Sequence, residues 1–265
     1  MAKKLILFLT FLSTSNLLSG QILKVDKGSL DADSSGFFLG SIDANFNLNN
    51  RSTTADKEVI FKGLNANADL VYMSKKHAYI LINNLNYFTS TGGPLISTGY
   101  MHFRTNFLRK KKLSYELFTQ IQYDDGRNMP FRYLNGGGIK YNVLETDDAE
   151  LYIGLGIMNE EEHWKSIAND GNIIEKNIWK TSDYISAKIK FNEFVDFNLI
   201  TYYQGGYDSN SEVFRNRVSG DAVLTVKISN QLAFLTSFTA QYEDKPIIPI
   251  NNFVYSLTNG LKWSF

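Results

Sequence analysis

From residue 36 onward, alternate positions of the chain fall into an apolar and a polar set, segment after segment. In 36–49, Phe38, Ile42, Ala44, Phe46 and Leu48 alternate with Ser41, Asp43, Asn45, Asn47 and Asn49. In 213–228, Phe214, Val218, Ala222, Leu224, Val226 and Ile228 alternate with Arg215, Arg217, Ser219, Asp221, Thr225 and Lys227. A period of two is a strand with one apolar face. No stretch beyond residue 35 sustains the i, i+3, i+4, i+7 spacing of an amphipathic helix. The pattern predicts an all-β chain with strands over 36–49, 58–73, 77–88, 95–108, 113–123, 131–144, 150–161, 177–191, 194–204, 213–228, 232–242 and 252–265.

Several of these segments exceed the roughly 5–6 residues of soluble strands and suit the ~9–11 residues of a tilted membrane strand. Their connections alternate in length. The gaps 50–57, 89–94, 124–130, 162–176, 205–212 and 243–251 each hold at least six residues, and the intervening gaps at most five. Alternating short turns and long loops in an even-numbered meander is the arrangement of outer-membrane barrels. The expected fold is therefore a single antiparallel transmembrane β-barrel of about 12 strands over 36–265. Aromatic residues gather near both expected rims: Phe37, Tyr72, Tyr141 and Trp263 at one, Tyr133, Trp179, Phe214 and Phe253 at the other. Such girdles mark membrane interfaces. The ending Leu261-x-Trp263-x-Phe265 resembles the terminal aromatic signature through which outer-membrane barrels engage their assembly machinery.

Residues 1–20 read as a secretory signal peptide, with Lys3 and Lys4 before the apolar run Leu5 to Leu12 and small residues at Ser19 and Gly20. Residues 21–35 form a short periplasmic lead-in, and the expected location is the outer membrane. Among the 265 residues, Lys+Arg 27 balance Asp+Glu 27. That balance argues against a nucleic-acid partner, which calls for a basic surplus. The absence of Cys removes disulfides, thiolate metal sites and thiol nucleophiles. No apolar run reaches the ~18 residues of a membrane helix.

With the apolar set facing lipid, the polar set lines the lumen. Asp69, Arg104, Glu116, Gln120, Gln122, Arg132, Lys140, Asp196, Arg215, Arg217 and Asp221 fall in that set. A modest basic excess with Arg215 and Arg217 near the outer mouth favours anions if the bore is open; mixed charges equally suit salt-bridged layers that fill a narrow barrel. Counting from the short turns places Arg104 and Asn106 beside Glu116 and Phe118, Gln122 opposite Arg132, and Gly136 and Gly138 beside Gly154 and Gly156. This wall without side chains makes room for bulky neighbours, curves the sheet or opens a passage, the first two being the usual uses of strand glycines. The three histidines lie far apart, His163 opening the longest loop, and no G-x-S-x-G elbow occurs. Neither catalysis, a metal site nor a cofactor is expected. Asp124-Asp125-Gly126-Arg127-Asn128 reads as turn chemistry.

Several of these residues carry a family likeness. Asn67-Ala68-Asp69-Leu70 with Tyr72, then Arg104, then Glu116-x-Phe118-x-Gln120-x-Gln122-Tyr123-Asp124, then Arg132-x-Leu134-x-Gly136-x-Gly138, Gly154-x-Gly156 and Glu160-x-Glu162 before Trp164 resemble the salt-induced outer-membrane protein family, a domain of unknown function. The resemblance implies an outer-membrane barrel with a signal peptide and names no substrate. Two functions follow from the reading: a narrow solute or ion channel with a charged lumen, or a non-conducting envelope barrel with a salt-bridged, plugged lumen that binds partners. A lipid-modifying enzyme comes third. The expected partners are membrane lipid, the barrel-assembly machinery and small ions or solutes.

Overall fold

The computed structural model describes residues 36–50, 58–168, 171–229 and 231–263. The signal peptide, the lead-in and Phe265 lie outside the described residues. Thirteen strands follow one another: β1 (Phe37–Asn50), β2 (Ile60–Met73), β3 (Ala78–Ser90), β4 (Gly93–Phe107), β5 (Leu113–Asp124), β6 (Met129–Glu145), β7 (Ala149–Lys165), β8 (Ile173–Thr181), β9 (Asp183–Lys190), β10 (Val195–Asp208), β11 (Val213–Lys227), β12 (Leu232–Glu243) and β13 (Phe253–Trp263). They make one antiparallel sheet in meander order.

β8 and β9 occupy a single lane. Both pair with β7 and β10 in one unbroken register, from Lys165↔Ile173 to Ala149↔Ile189. The strand lapses only at Ser182. There the Ser182 N–H still reaches the Gly156 carbonyl at 2.9 Å, while the Gly156 N–H is turned onto the Asp183 carboxylate. The sheet thus has the twelve lanes that the periodicity predicts. Its edges are β1 and β13, and no ladder joins them among the described residues.

The connections are less unequal than the sequence suggests. The expected six-residue loop at 89–94 is a two-residue turn, Thr91–Gly92, with Gly93 at φ +122°, a conformation that other residues rarely adopt. β7 runs on to Lys165 and β8 begins at Ile173, so most of 162–176 is hairpin, and His163 sits within β7. Loop length was overestimated because alternation there continues with Glu160, Glu162 and Trp164 inside and polar Glu161 and His163 outside. An outward apolar set no longer marks the strand. The 124–130 segment is a single 3-10 turn, capped by the Asp124 side chain, which accepts the Arg127 N–H at 3.2 Å.

Polarity is inverted relative to a protein in water. Leu117, Ile121, Leu155, Ile157, Trp179 and Leu257 are exposed on the outer face, whereas Arg104, Glu116, Arg132, Glu160 and Arg217 are buried within. A small apolar cluster of Val71, Met73, Ala78, Ile80 and Ile82 lines the inside near the termini. Phe37, expected in the outer girdle at that rim, packs against this cluster instead. It occupies the same alternate set as Leu39 and Asp43, facing Met73 across the ladder.

Candidate functional site in the bore

Inside the curled sheet, side chains meet across the bore at two levels. The wider level is ionic. Glu160 of β7 is its hub: it accepts Arg132 Nε of β6 at 2.7 Å and Arg217 Nη1 of β11 at 2.7 Å, and it also binds Lys180 Nζ of β8. Two residues along, Glu162 takes Arg217 Nη2 at 2.7 Å and lies 3.3 Å from Arg132 Nε. Trp164 donates its indole N–H to Glu162 at 3.2 Å. Arg217 also pairs with Glu243 of β12, which Arg127 approaches at 3.5 Å. Because β11 stands three lanes from β7, the Arg217–Glu160 contact is a chord across the lumen rather than a neighbour contact along the wall.

The second level, nearer the termini, is aromatic. Tyr184 of β9 donates its hydroxyl to Glu116 of β5 at 2.9 Å, and Arg104 of β4 donates to the Tyr202 hydroxyl of β10 at 3.2 Å. The Tyr184 and Tyr202 rings lie 5.3 Å apart, and Arg104 sits over Phe118 at 5.8 Å. The glycines make this layer possible. A Cβ on Gly154 would strike the Tyr184 ring, and one on Gly136 would lie 2.7 Å from Phe118 Cζ. Gly138 pairs directly with Gly156, and its Cβ would come within 2.7 Å of the Gly156 Cα. Gly136, Gly138, Gly154 and Gly156 thus leave space that aromatic rings and the facing strand fill, with only a small pocket left beside Arg104 and Glu116.

The remaining residues of interest spread along the same inner set. His102 shares a 3.0 Å hydrogen bond with Gln120, and Gln120 donates to Gln122 at 2.9 Å. Gln122 in turn accepts Arg132 Nη1 at 3.1 Å, so the pairing of Gln122 with Arg132 is seen in both ladder and side chain. Arg215 is held at the mouth by Asp208 at 3.0 Å and by the Lys245 carbonyl. Lys140 lies over the Tyr152 ring at 3.9 Å. Asp196 is 3.7 Å from Lys227. Asp69 and Asp221 are half-buried on the inner set. The anion-favouring basic excess expected from Arg215 and Arg217 is not what the geometry presents, since both guanidinium groups are engaged by carboxylates.

Sequence reading missed Glu160, Glu162 and Lys180 as inner residues although their even-numbered positions continue the inner set of Gly154 and Gly156. It also missed Tyr184 and Tyr202, although both stand at even positions of the inner sets that hold Lys188 and Asp196. A third feature had no sequence signal. The connection 244–252 folds inward, seating Ile248 against Met129 and Trp164, with Ile174, Ile247 and Ile250 around them. Asp244 anchors it by accepting the Asn216 N–H at 2.8 Å and the Asn216 side-chain amide at 2.7 Å. Burial raises the Asp244 carboxyl, but these hydrogen bonds and Lys245 outweigh it and hold the group below its ordinary value.

An antiparallel meander with an apolar exterior and a polar, ion-paired interior is a β-barrel of the membrane-crossing class. The chain belongs to the family described as "Protein of unknown function, DUF481", whose profile matches residues 61–252. No curated protein sequence matches it. Among solved structures it is similar to the CymD monoaromatic hydrocarbon channel, at 10% identity and TM-score 0.42 over 91% of this chain and 83% of that one. It is also similar to a deltaS2 mutant of the TodX monoaromatic hydrocarbon channel, at 10% identity and TM-score 0.38 over 86% of this chain and 80% of the other.

Proposed function

We propose that this chain is an outer-membrane barrel that passes small polar solutes through a narrow bore. The observation that carries the reading is a solvent-open cavity on the inner face, bounded on one side by the Arg132 and Arg217 guanidinium groups. The ionic hub fills the β6–β8 side of the bore, and the cavity runs past it along β3–β5 and β10–β13. In this reading Asp69, Arg104, Glu116, Gln120, Gln122, Arg132, Lys140, Asp196, Arg215, Arg217 and Asp221 line the path. Residues 1–20 direct export, and Trp263 with Phe265 engage the assembly machinery. Exposed Leu117, Leu155 and Ile157 support the membrane setting, because water does not favour so continuous an apolar band.

The two layers of cross-bore contacts favour a second reading, a non-conducting envelope barrel. Twelve strands fall between the eight whose bore side chains fill and the sixteen that leave an aqueous channel. Planar-bilayer current from protein refolded without residues 1–20 separates the two. Discrete conductance steps support the channel. A silent bilayer, with heat-modifiable gel migration proving a folded barrel, supports the plug.

A further inference from the structure

The cavity wall has a chemistry more specific than polarity. Four asparagines on β2 and β3 form a closed ring: Asn65 donates to Asn86, Asn86 to Asn84 at 2.8 Å, Asn84 to Asn67, and Asn67 back to Asn65 at 2.9 Å. The Asp43 carboxylate accepts a second hydrogen bond from Asn67 at 2.9 Å and so orients the ring. Each primary amide carries two N–H bonds and two lone pairs. The ring engages one of each in Asn84 and Asn86, and those two residues face the cavity. Their second donor and second acceptor are therefore held in fixed directions. Two lanes along the same wall, in the row Asn84–Tyr100–Gln122, the Gln122 carbonyl receives both Arg132 and Gln120, which leaves its NH₂ group to the cavity that Gln122 lines.

Charge at this wall is cancelled locally. Arg217 lies within 4.0 Å of Glu160, Glu162 and Glu243, Arg132 of Glu160 and Glu162, and Arg127 of Glu243. An anion entering here meets guanidinium groups already held by carboxylates, and a cation meets carboxylates already held by guanidinium groups. An apolar solute would strip water from fixed amides and replace none of their hydrogen bonds. A solute dense in hydroxyl groups offers each amide both a donor and an acceptor. Tyr100, which borders the cavity and packs against the Val71–Ile82 cluster, adds a ring for its C–H faces.

We propose that this cavity binds a small, uncharged, polyhydroxylated solute of the sugar or polyol class, held between the Asn84–Asn86 pair and Gln122. The proposal deepens the channel reading: passage of the solute rests on that reading, whereas its binding rests on the wall alone. The test uses the full mature chain refolded into vesicles. Swelling rates are compared for glucose, gluconate and glucosamine, which share size and differ in charge. Glucose is expected to pass fastest, and Asn84→Leu with Asn86→Leu is expected to slow it by about tenfold, the loss of two ordinary hydrogen bonds. Thr239→Val, on the opposite wall and outside the amide ring, serves if the double variant does not reach heat-modifiable form, with a smaller slowing in the same sense. Equal rates for the three solutes in a folded barrel, or glucose passage untouched by the variants, overturn the inference while leaving the channel intact. If no solute passes and no current flows, the channel reading falls. Saturation-transfer NMR with glucose on the folded protein then decides the cavity: a signal lost in the variant upholds the site, and no signal removes it.

Discussion

Removing the carboxylate of Glu160 is the sharpest probe of the ionic layer. The residue is 1% exposed and is approached by three cations, Arg132, Arg217 and Lys180. In Glu160→Ala, the two arginines keep Glu162, and Arg217 keeps Glu243. Lys180 loses the one carboxylate with which it forms a salt bridge among the described residues. Breaking a buried pair on one side costs roughly 3–5 kcal/mol, because the surviving charge is stranded away from water. Glu160→Gln keeps the shape and one acceptor oxygen, so its cost falls toward the ~1.5–3 kcal/mol of a hydrogen bond to a charged group. The neighbour Glu161 supplies the control. It points outward, its side chain is 41% exposed, and its partner is His163 at 3.0 Å. Glu161→Gln should cost under about 1 kcal/mol, as exposed pairs do. Urea unfolding in detergent, followed by tryptophan fluorescence, reads all three, since Trp164, one of the three tryptophans, has its indole bonded to Glu162. Adding Lys180→Met to Glu160→Ala removes the stranded charge and should restore part of the loss. If Glu160→Ala costs no more than Glu161→Gln, or if Lys180→Met makes the pair worse, the layer is not the ionic hub described.

Four further outcomes follow from other parts of the molecule. Gly154→Val should displace the Tyr184 ring from Glu116 and lower stability by about 1–3 kcal/mol, read as a fall in the urea midpoint, whereas Gly126→Val at the 3-10 turn should leave the layer intact. Leu117→Arg, on the outer face of β5, should cost ~2–4 kcal/mol in a bilayer, while no such penalty would appear if that face met water. Ile248→Ala should cost about 2–5 kcal/mol through its buried contacts with Met129 and Trp164, and cleavage of 244–252 by added protease should accelerate. Since the Asp244 carboxyl is held below its ordinary value when folded, its contribution is complete above about pH 4 and is lost as pH falls through the lower folded value. Protection of the Asn216 amide from hydrogen exchange, relative to an unstructured amide at the same pH, should fall in that acid range, and Asp244→Asn should remove the pH dependence.

The lanes and their register were legible because a period of two and short turns are local properties. Counting from the 109–112 turn placed Arg104 and Asn106 beside Phe118 and Glu116, and the ladder pairs them in that way. The register of the glycine strands was legible too, down to Gly138 facing Gly156, and the Phe118 and Tyr184 rings stand beside Gly136 and Gly154. The ends of strands were not. Glu160, Glu162 and Trp164 continue the inner set after the outer set has turned polar, so an apolar alternation stops short of Lys165. Chords across the bore were hidden for another reason. Arg217 and Glu160 are 57 residues apart, and only the curl of the sheet brings them together. Nothing in either local pattern distinguishes a charge that bridges from one that lines.

Side-chain length along the inner set explains why the bore closes on one side and stays open on the other. The lanes that meet across the lumen carry long groups at their inner positions: Arg104, Glu116, Arg132, Glu160, Lys180 and Arg217. The inner positions of β1–β3 and β12–β13 carry short ones, among them Asn45, Asn65, Asn86, Ser237, Thr239 and Ser256. Short amides and hydroxyls cannot reach a partner across the lumen, so they bond along the wall, as the asparagine ring does. Filling and lining are then two outcomes of one geometry, separated by how far each side chain extends. The cavity opens where Asn84, Asn86, Ser219 and Thr239, short residues of facing lanes, leave the space beside Arg132 and Arg217 unfilled. A variant that lengthens one of them, Thr239→Arg, would extend the filled side into the cavity and should narrow or abolish any conductance without disturbing Glu160.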